Sequence, residues 1–185
     1  MVVSVNAALV GSPGLAVGQV WQLERETLTI TEQGENTETE LGLLKAALKQ
    51  AKQDLSHLAA NADSEEQKGI FSAHGELLTD PELLEHTQAL IGQGKSAAWA
   101  WQQAFEVQAA TLAKLKNALL AARATDMRDV GQRVLTLLAG SEQDQNILPS
   151  NVILIADDLT PSDTANLDPK RVLGFCTATG GASSH

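Results

Sequence analysis

The last six residues, Gly180-Gly181-Ala182-Ser183-Ser184-His185, gather the side-chain types that phosphoryl chemistry uses. Glycine has no Cβ, so its backbone N–H groups can approach an anion in conformations that other residues avoid. An imidazole with an ordinary pKa of about 6.5 is a neutral nitrogen nucleophile near neutral pH. Attack by His185 on a phosphoryl group would give a phosphohistidine. The N–H groups of Gly180 and Gly181 and the hydroxyls of Ser183 and Ser184 can stabilise its oxygens. On these residues alone, a flexible tail or the start of a tag linker is an equal alternative.

The other reactive types give weaker patterns. His74 shares helical spacing with Ile70, Leu77 and Leu78, so it reads first as a packed core residue and second as a docking residue. His57 and His86 read as surface residues, and no His/Asp/Glu spacing makes a metal site. The single cysteine, Cys176, excludes an internal disulfide framework and reads as a small buried hydrophobe. Trp99, Trp101 and Phe105 read as core or rim of a helical bundle.

These residues need elements to hold them, and the hydrophobic period divides the chain in three. Residues 1 to about 30 carry β-type runs, Val2–Val5, Ala7–Val10 and Ala16–Leu23, broken by the GSPG turn at Gly11–Gly14. The acidic stretch TEQGENTETE reads as a linker into a helix. From about 37 to 139 the period is helical. Leu41, Leu44, Leu48, Ala51, Leu55 and Leu58 draw one apolar stripe, and Ala98, Trp101, Phe105, Gln108, Leu112, Leu115 and Leu119 draw another. Between them a short helix, Gly69–Leu78, stops at Thr79-Asp80-Pro81, where Asp80 can cap a further helix with Pro81 at its first position. Met127, Val130, Val134 and Leu137 share a face that Gly140 closes. Val152–Ala156 and Arg171–Ala178 read as strands flanking a short capped helix, the signature of α/β architecture. A helical block thus interrupts an α/β unit.

Composition narrows the partners. The 185 residues include 13 basic and 23 acidic side chains, a formal net charge of −10. Nucleic-acid and anionic-membrane binders carry the opposite sign, so a basic protein partner suits this chain better. The N-terminus has no positive n-region, no apolar run reaches 18 residues, and the expected setting is the cytoplasm.

The segment ADDLTPSDTANLDPKRVLGFCTATGGASSH (Ala156–His185) resembles the phosphohistidine segment of enzyme I of the bacterial phosphoenolpyruvate:sugar phosphotransferase system. GSPGLAVG (Gly11–Gly18) is similar to that family's first strand region. GIFSAHGELLTDPEL (Gly69–Leu83) resembles its carrier-docking helix pair, and RATDMRDVGQRVL (Arg123–Leu135) its last bundle helix. The blocks keep the family's order and span most of the chain.

The resemblance implies an antiparallel four-helix bundle, residues 34–143, inserted into a swivelling phosphohistidine α/β subdomain formed by 1–33 and 144–185 and truncated at its C-terminus. It implies that His185 accepts phosphate from phosphoenolpyruvate and passes it to a histidine of the small carrier HPr, with Thr164 hydrogen-bonding the imidazole. Docking positions carried over are Glu65, Glu66, Phe71, His74, Leu77, Asp80, Glu82, Leu83, Arg123 and Arg128. They lie in or near a stretch, Asn61–Ile91, with seven acidic residues against Lys68, six net negative charges that read otherwise as an ordinary solvated face. Two departures stand out. Ala182-Ser183 replaces the commoner Arg-Thr, removing a cation near the phosphate, and Gln67 stands where a lysine is frequent. The opening VNAALVGSPGLAVG is similar to fused multiphosphoryl transfer proteins. Phosphoenolpyruvate, Mg2+ and a homodimer contact are expected in a barrel domain outside this chain, which itself is expected to bind no cofactor. The alternatives are the swivelling domain of a pyruvate phosphate dikinase or phosphoenolpyruvate synthase, and a non-catalytic helical interaction module.

Overall fold

The structure is a computed structural model that describes residues 12, 14–23, 28–115, 118–140 and 148–178, with side chains of the last long helix described from Arg123 onward. It divides into two compact units, Met1–Glu26 with Gln145–His185, and Thr27–Asp144.

Among the described residues five helices build the second unit: α1 (Thr37–Ala60), α2 (Glu65–Leu77), α3 (Pro81–Gly92), α4 (Ala97–Ala113) and α5 (Ala118–Leu138). The docking pair is two separate helices, as the Asp80-Pro81 signal implies, so the described residues show five helices where a four-helix bundle is expected. Pro81 has no N–H and its ring would clash one turn back, so α2 cannot run through it. Polar side chains cap the starts. Asn36, Ser64, Asp80 and Ser96 each accept the backbone N–H three residues on, satisfying a donor that no helical carbonyl reaches. Gly140, with φ 64°, follows the end of α5 in the left-handed region that ordinary residues avoid.

The stripe read from Ala98 to Leu119 does not lie on one helix. α4 ends at Ala113, Leu115 is 42% exposed, and Leu119 belongs to α5. Alanine rather than leucine lets the α4 backbone come close: Ala97, Ala100, Ala104 and Ala109 are all buried. Between α4 and α5 the approach is tight enough to require Gly131. A Cβ there would sit 2.5–2.7 Å from ring carbons of Phe105. The Trp101 indole N–H donates to the Gly131 carbonyl at 2.9 Å, so the fully buried tryptophan leaves no polar atom unpaired.

The acidic stretch before α1 is less of a linker than its composition suggests. Leu28 and Ile30 pack on the helical core, and the N–H of Ser96 donates to Glu32 O while that of Gly34 donates to Gly94 O. Residues 28–33 thus go with the helical unit, not with the α/β part. Glu40, 6% exposed, holds this corner: its carboxylate accepts from the N–H of Ala97 at 2.7 Å and of Glu35 at 3.0 Å. A charge so buried needs such donors.

Among the described residues the first unit contains three parallel strands in the order β1-β2-β3: β1 (Gln19–Gln22), β2 (Val152–Ala156) and β3 (Val172–Thr177), with α6 (Pro161–Ala165) between the last two. β1 pairs Gln19 with Val152 and Gln22 with Ile155. β2 pairs Leu154 with Phe175 and Ala156 with Thr177. A parallel central strand has neighbours on both sides and reads as an unbroken apolar run, as VILIA does. Leu154, Ala156 and Leu159 form its small core, with Trp21, Leu23, Leu148, Leu167 and Val172 packed around it. The β runs at Val2–Val5 and Ala7–Val10 lie outside the described residues.

Candidate functional site

In the α/β unit, the TPSDT run folds as sequence chemistry demands. The Thr160 hydroxyl accepts from the N–H of Asp163 at 3.1 Å, and the Asp163 carboxylate accepts from the N–H of Thr160 at 2.9 Å. That reciprocal cap, with Pro161 at the first turn, starts α6 immediately after the β2 end. Thr164 is partly buried on the last turn. Its hydroxyl faces the carbonyls of Pro161 at 3.0 Å and Thr160 at 3.3 Å. One proton serves those two acceptors, so the oxygen keeps lone pairs for an outside donor. After a register shift between Val152 and Ile153, β3 stays paired with β2 to its end, where the N–H of Ala178 donates to Ala156 O at 3.0 Å. Gly180, Gly181, Ser183, Ser184 and His185 lie outside the described residues. Cys176, read as buried, is half-buried on β3, an edge strand among the described residues.

In the helical unit the proposed docking positions separate by burial. Glu65, Glu66, Glu82, Arg123 and Arg128 are exposed, Leu77 and Asp80 half-buried, and Phe71, His74 and Leu83 buried. Asp80 is occupied as the α3 cap, accepting from the N–H of Leu83 at 3.1 Å. Arg128 pairs across to Glu106 of α4 at 3.3 Å, and Lys68 pairs with Glu65 at the same distance. Gln67 folds back so that its carbonyl accepts from the N–H of Asp63, which turns this side chain to capping. His57 and His86 are exposed.

His74 is the outlier. It is 1% exposed, and its two ring nitrogens face two carboxylates of α5: Nε2 lies 3.4 Å from Asp126 Oδ1, and Nδ1 lies 3.7 Å from Asp129 Oδ2. Neither nitrogen makes a hydrogen bond of good geometry. Sequence spacing placed His74 on an apolar face. It gave no signal for the aspartates, which come from a distant helix. Among the described residues no group of three or more His, Cys, Asp or Glu side chains can hold a metal ion, and no helix is long and apolar enough to cross a membrane.

Among the described residues, a parallel α/β unit carrying a capped TPSDT turn is split in sequence by a helical block with an acidic helix pair. Comparison with known proteins gives the family. Residues 7–123 match the model of the PEP-utilising enzyme N-terminal domain, and residues 148–185 that of the PEP-utilising enzyme mobile domain. The chain belongs to this PEP-utilising enzyme family. Among curated relatives, a "Multiphosphoryl transfer protein" of Rhodobacter capsulatus is 42% identical over 178 residues, 94% of this chain and 22% of the relative. A "Phosphoenolpyruvate-protein phosphotransferase" of Buchnera aphidicola is 38% identical over 187 residues, 97% of this chain and 33% of the relative. An NMR solution structure of enzyme I superimposes with a TM-score of 0.73 at 32% identity, covering 94% of this chain and 73% of that one. The fold is that of the enzyme I N-terminal domain. The chain spans about a fifth to a third of the curated relatives it matches.

Proposed function

We propose that this chain is the carrier-docking and phosphohistidine portion of a phosphoenolpyruvate-dependent phosphotransferase. In this reading a ring nitrogen of His185 attacks the phosphorus of phosphoenolpyruvate. The N–P bond forms as the bond to the enol oxygen breaks, and enolpyruvate leaves to take up a proton as pyruvate. A histidine of an HPr-type carrier then attacks the same phosphorus, and the N–P bond to His185 breaks. The observation that carries the proposal is the match of both halves of the chain, in order, to the two models of one enzyme family. Thr164 adds a chemical reason. With its own proton turned to backbone carbonyls, its oxygen is an acceptor, suited to hold an imidazole N–H and leave the opposite nitrogen as the nucleophile. The backbone N–H groups of Gly180 and Gly181, with the Ser183 and Ser184 hydroxyls, would stabilise the transferring phosphoryl oxygens.

Glu65, Glu66 and Glu82 present exposed negative charge to a basic carrier, and the exposed Arg123 and Arg128 offer the opposite sign. Phe71 and Leu83, being buried, would shape that surface from beneath. Mg2+ supplies charge neutralisation to phosphoryl transfer in such enzymes. In this reading Mg2+, phosphoenolpyruvate and the dimer contact belong to a substrate-binding domain of a longer protein. The 42% identity to a multiphosphoryl transfer protein supports a fused parent of that kind.

The test is phosphoryl transfer from labelled phosphoenolpyruvate through the full-length protein to the carrier. Acid-labile label on His185, and its disappearance together with all transfer in His185→Ala, is the expected result. Full transfer by His185→Ala would overturn the proposal. Labelling of this 185-residue chain by phosphoenolpyruvate and Mg2+ would overturn the assignment of substrate binding to another domain.

A further inference from the structure

α2 is a 13-residue helix, too short to persist in water without packing. Within its bounds it buries two side chains, Phe71 and His74, three residues apart on one face. Half of that anchor is therefore an imidazole with two polar atoms, 1% exposed. The Phe71 ring meets the His74 ring edge-to-face at 6.2 Å and 87°. Against the imidazole α5 sets Asp126 and Asp129, which share a helix face by their spacing of three. One carboxylate lies against each ring nitrogen.

If α2 needed only burial, an aliphatic side chain beside Phe71 would supply it without the cost of burying a polar ring. Apolar contact is non-directional and leaves a short helix free to rotate or slide. A ring with its two nitrogens between two carboxylates accepts one orientation, and buried polar groups that fix register at some expense of stability have precedent in helical assemblies. At 3.4 and 3.7 Å the contacts are longer than the ~2.7–2.9 Å of a charge-assisted hydrogen bond, so the arrangement works as a guide rail more than as a rigid bolt. What it guides has consequences, because α2 carries the exposed Glu65 and Glu66 and the same stretch of α5 carries the exposed Arg123 and Arg128.

We infer that His74 is a positioning residue. Held between Asp126 and Asp129, it sets the register of α2 against α5, and with it the spacing between acidic and basic charges that a docking carrier reads. It does not itself touch the carrier. The inference rests on the docking reading above.

The experiment compares His74→Leu and His74→Gln in this chain by amide hydrogen exchange and by NMR titration with the phosphocarrier. In His74→Leu, with α1 and α4 amide shifts retained, α2 amides should exchange at least about tenfold faster and carrier affinity should fall at least about tenfold. His74→Gln, whose amide can still reach a carboxylate, should recover most of both. Wild-type behaviour of His74→Leu overturns the inference, and so does a His74→Gln variant no better than His74→Leu, since volume alone would then explain the site. If His74→Leu fails to fold, Asp126→Asn decides, and unchanged α2 exchange there overturns the inference. A wild-type chain that binds no carrier sinks the docking reading, while α2 exchange still decides the guide.

Discussion

In the proposed mechanism a single hydroxyl, that of Thr164, chooses the nucleophile. In solution it would donate or accept with equal ease. On the last turn of α6 its proton is turned to Pro161 O at 3.0 Å and Thr160 O at 3.3 Å, and the acceptor role is what remains. An imidazole presented to that oxygen must offer its N–H, which fixes the tautomer and leaves the other nitrogen's lone pair for phosphorus. Replacing Thr164 by Val keeps the shape and removes the acceptor. We expect phosphoryl transfer in Thr164→Val to fall about 10²-fold, the lower range of what a positioned proton-handling group contributes. Thr164→Ser should retain most of the rate. Single-turnover transfer from the phosphorylated carrier measures both, and equal rates for Val and Thr would remove the hydroxyl from the mechanism.

At the scale of elements, α2 and α3 present Glu65, Glu66, Glu82 and Glu85 to solvent. Exposed charges of this kind add little to stability and act mainly on encounter. Reversing two of them in Glu65→Lys/Glu66→Lys should slow association with the carrier about tenfold at low salt and leave dissociation little changed. The difference should vanish near 1 M salt, where the screening length is about 3 Å. Stopped-flow association at two ionic strengths checks this, and a salt-independent loss would mean a packing defect. These helices were largely legible in the sequence, because local chemistry dictates them. Asp80-Pro81 and Gly140 announce the boundaries they form. The hydrophobic period starts α2 only at Gly69, four residues late, because its first turn after the Ser64 cap, Glu65 to Lys68, is polar throughout. The break after Ala113 hid because Leu112, Leu115 and Leu119 keep a helical period across a turn. Glu40 capping α4, and Asp126 and Asp129 flanking His74, join residues far apart in sequence, and no local pattern encodes them.

At the scale of the whole molecule the two units differ in how much they bury. The helical unit packs buried side chains from all five helices into one cluster, including the fully buried Trp101, Ile91 and Val134. Among the described residues the core of the α/β unit is Leu154, Ala156 and Leu159, and its strands leave Val20, Leu173 and Phe175 at 57%, 42% and 58% exposure. Hydrophobic stabilisation scales with apolar area removed from water, about 25 cal/mol per Å², while the entropy of ordering backbone is paid by every residue alike. The smaller core therefore holds its sheet with less in reserve, and opening should be a local event there before it is a global one. The tryptophans report on each unit separately, since Trp21 lies in β1 and Trp101 in α4. In a urea titration followed by indole NMR signals, Trp21 should reach its unfolded position at lower urea than Trp101. β2 amides should likewise exchange faster than those of α4 beside the Trp101–Gly131 bond. Coincident transitions for the two indoles would mean one cooperative unit, and would show that the small sheet draws stability from contacts beyond its own core.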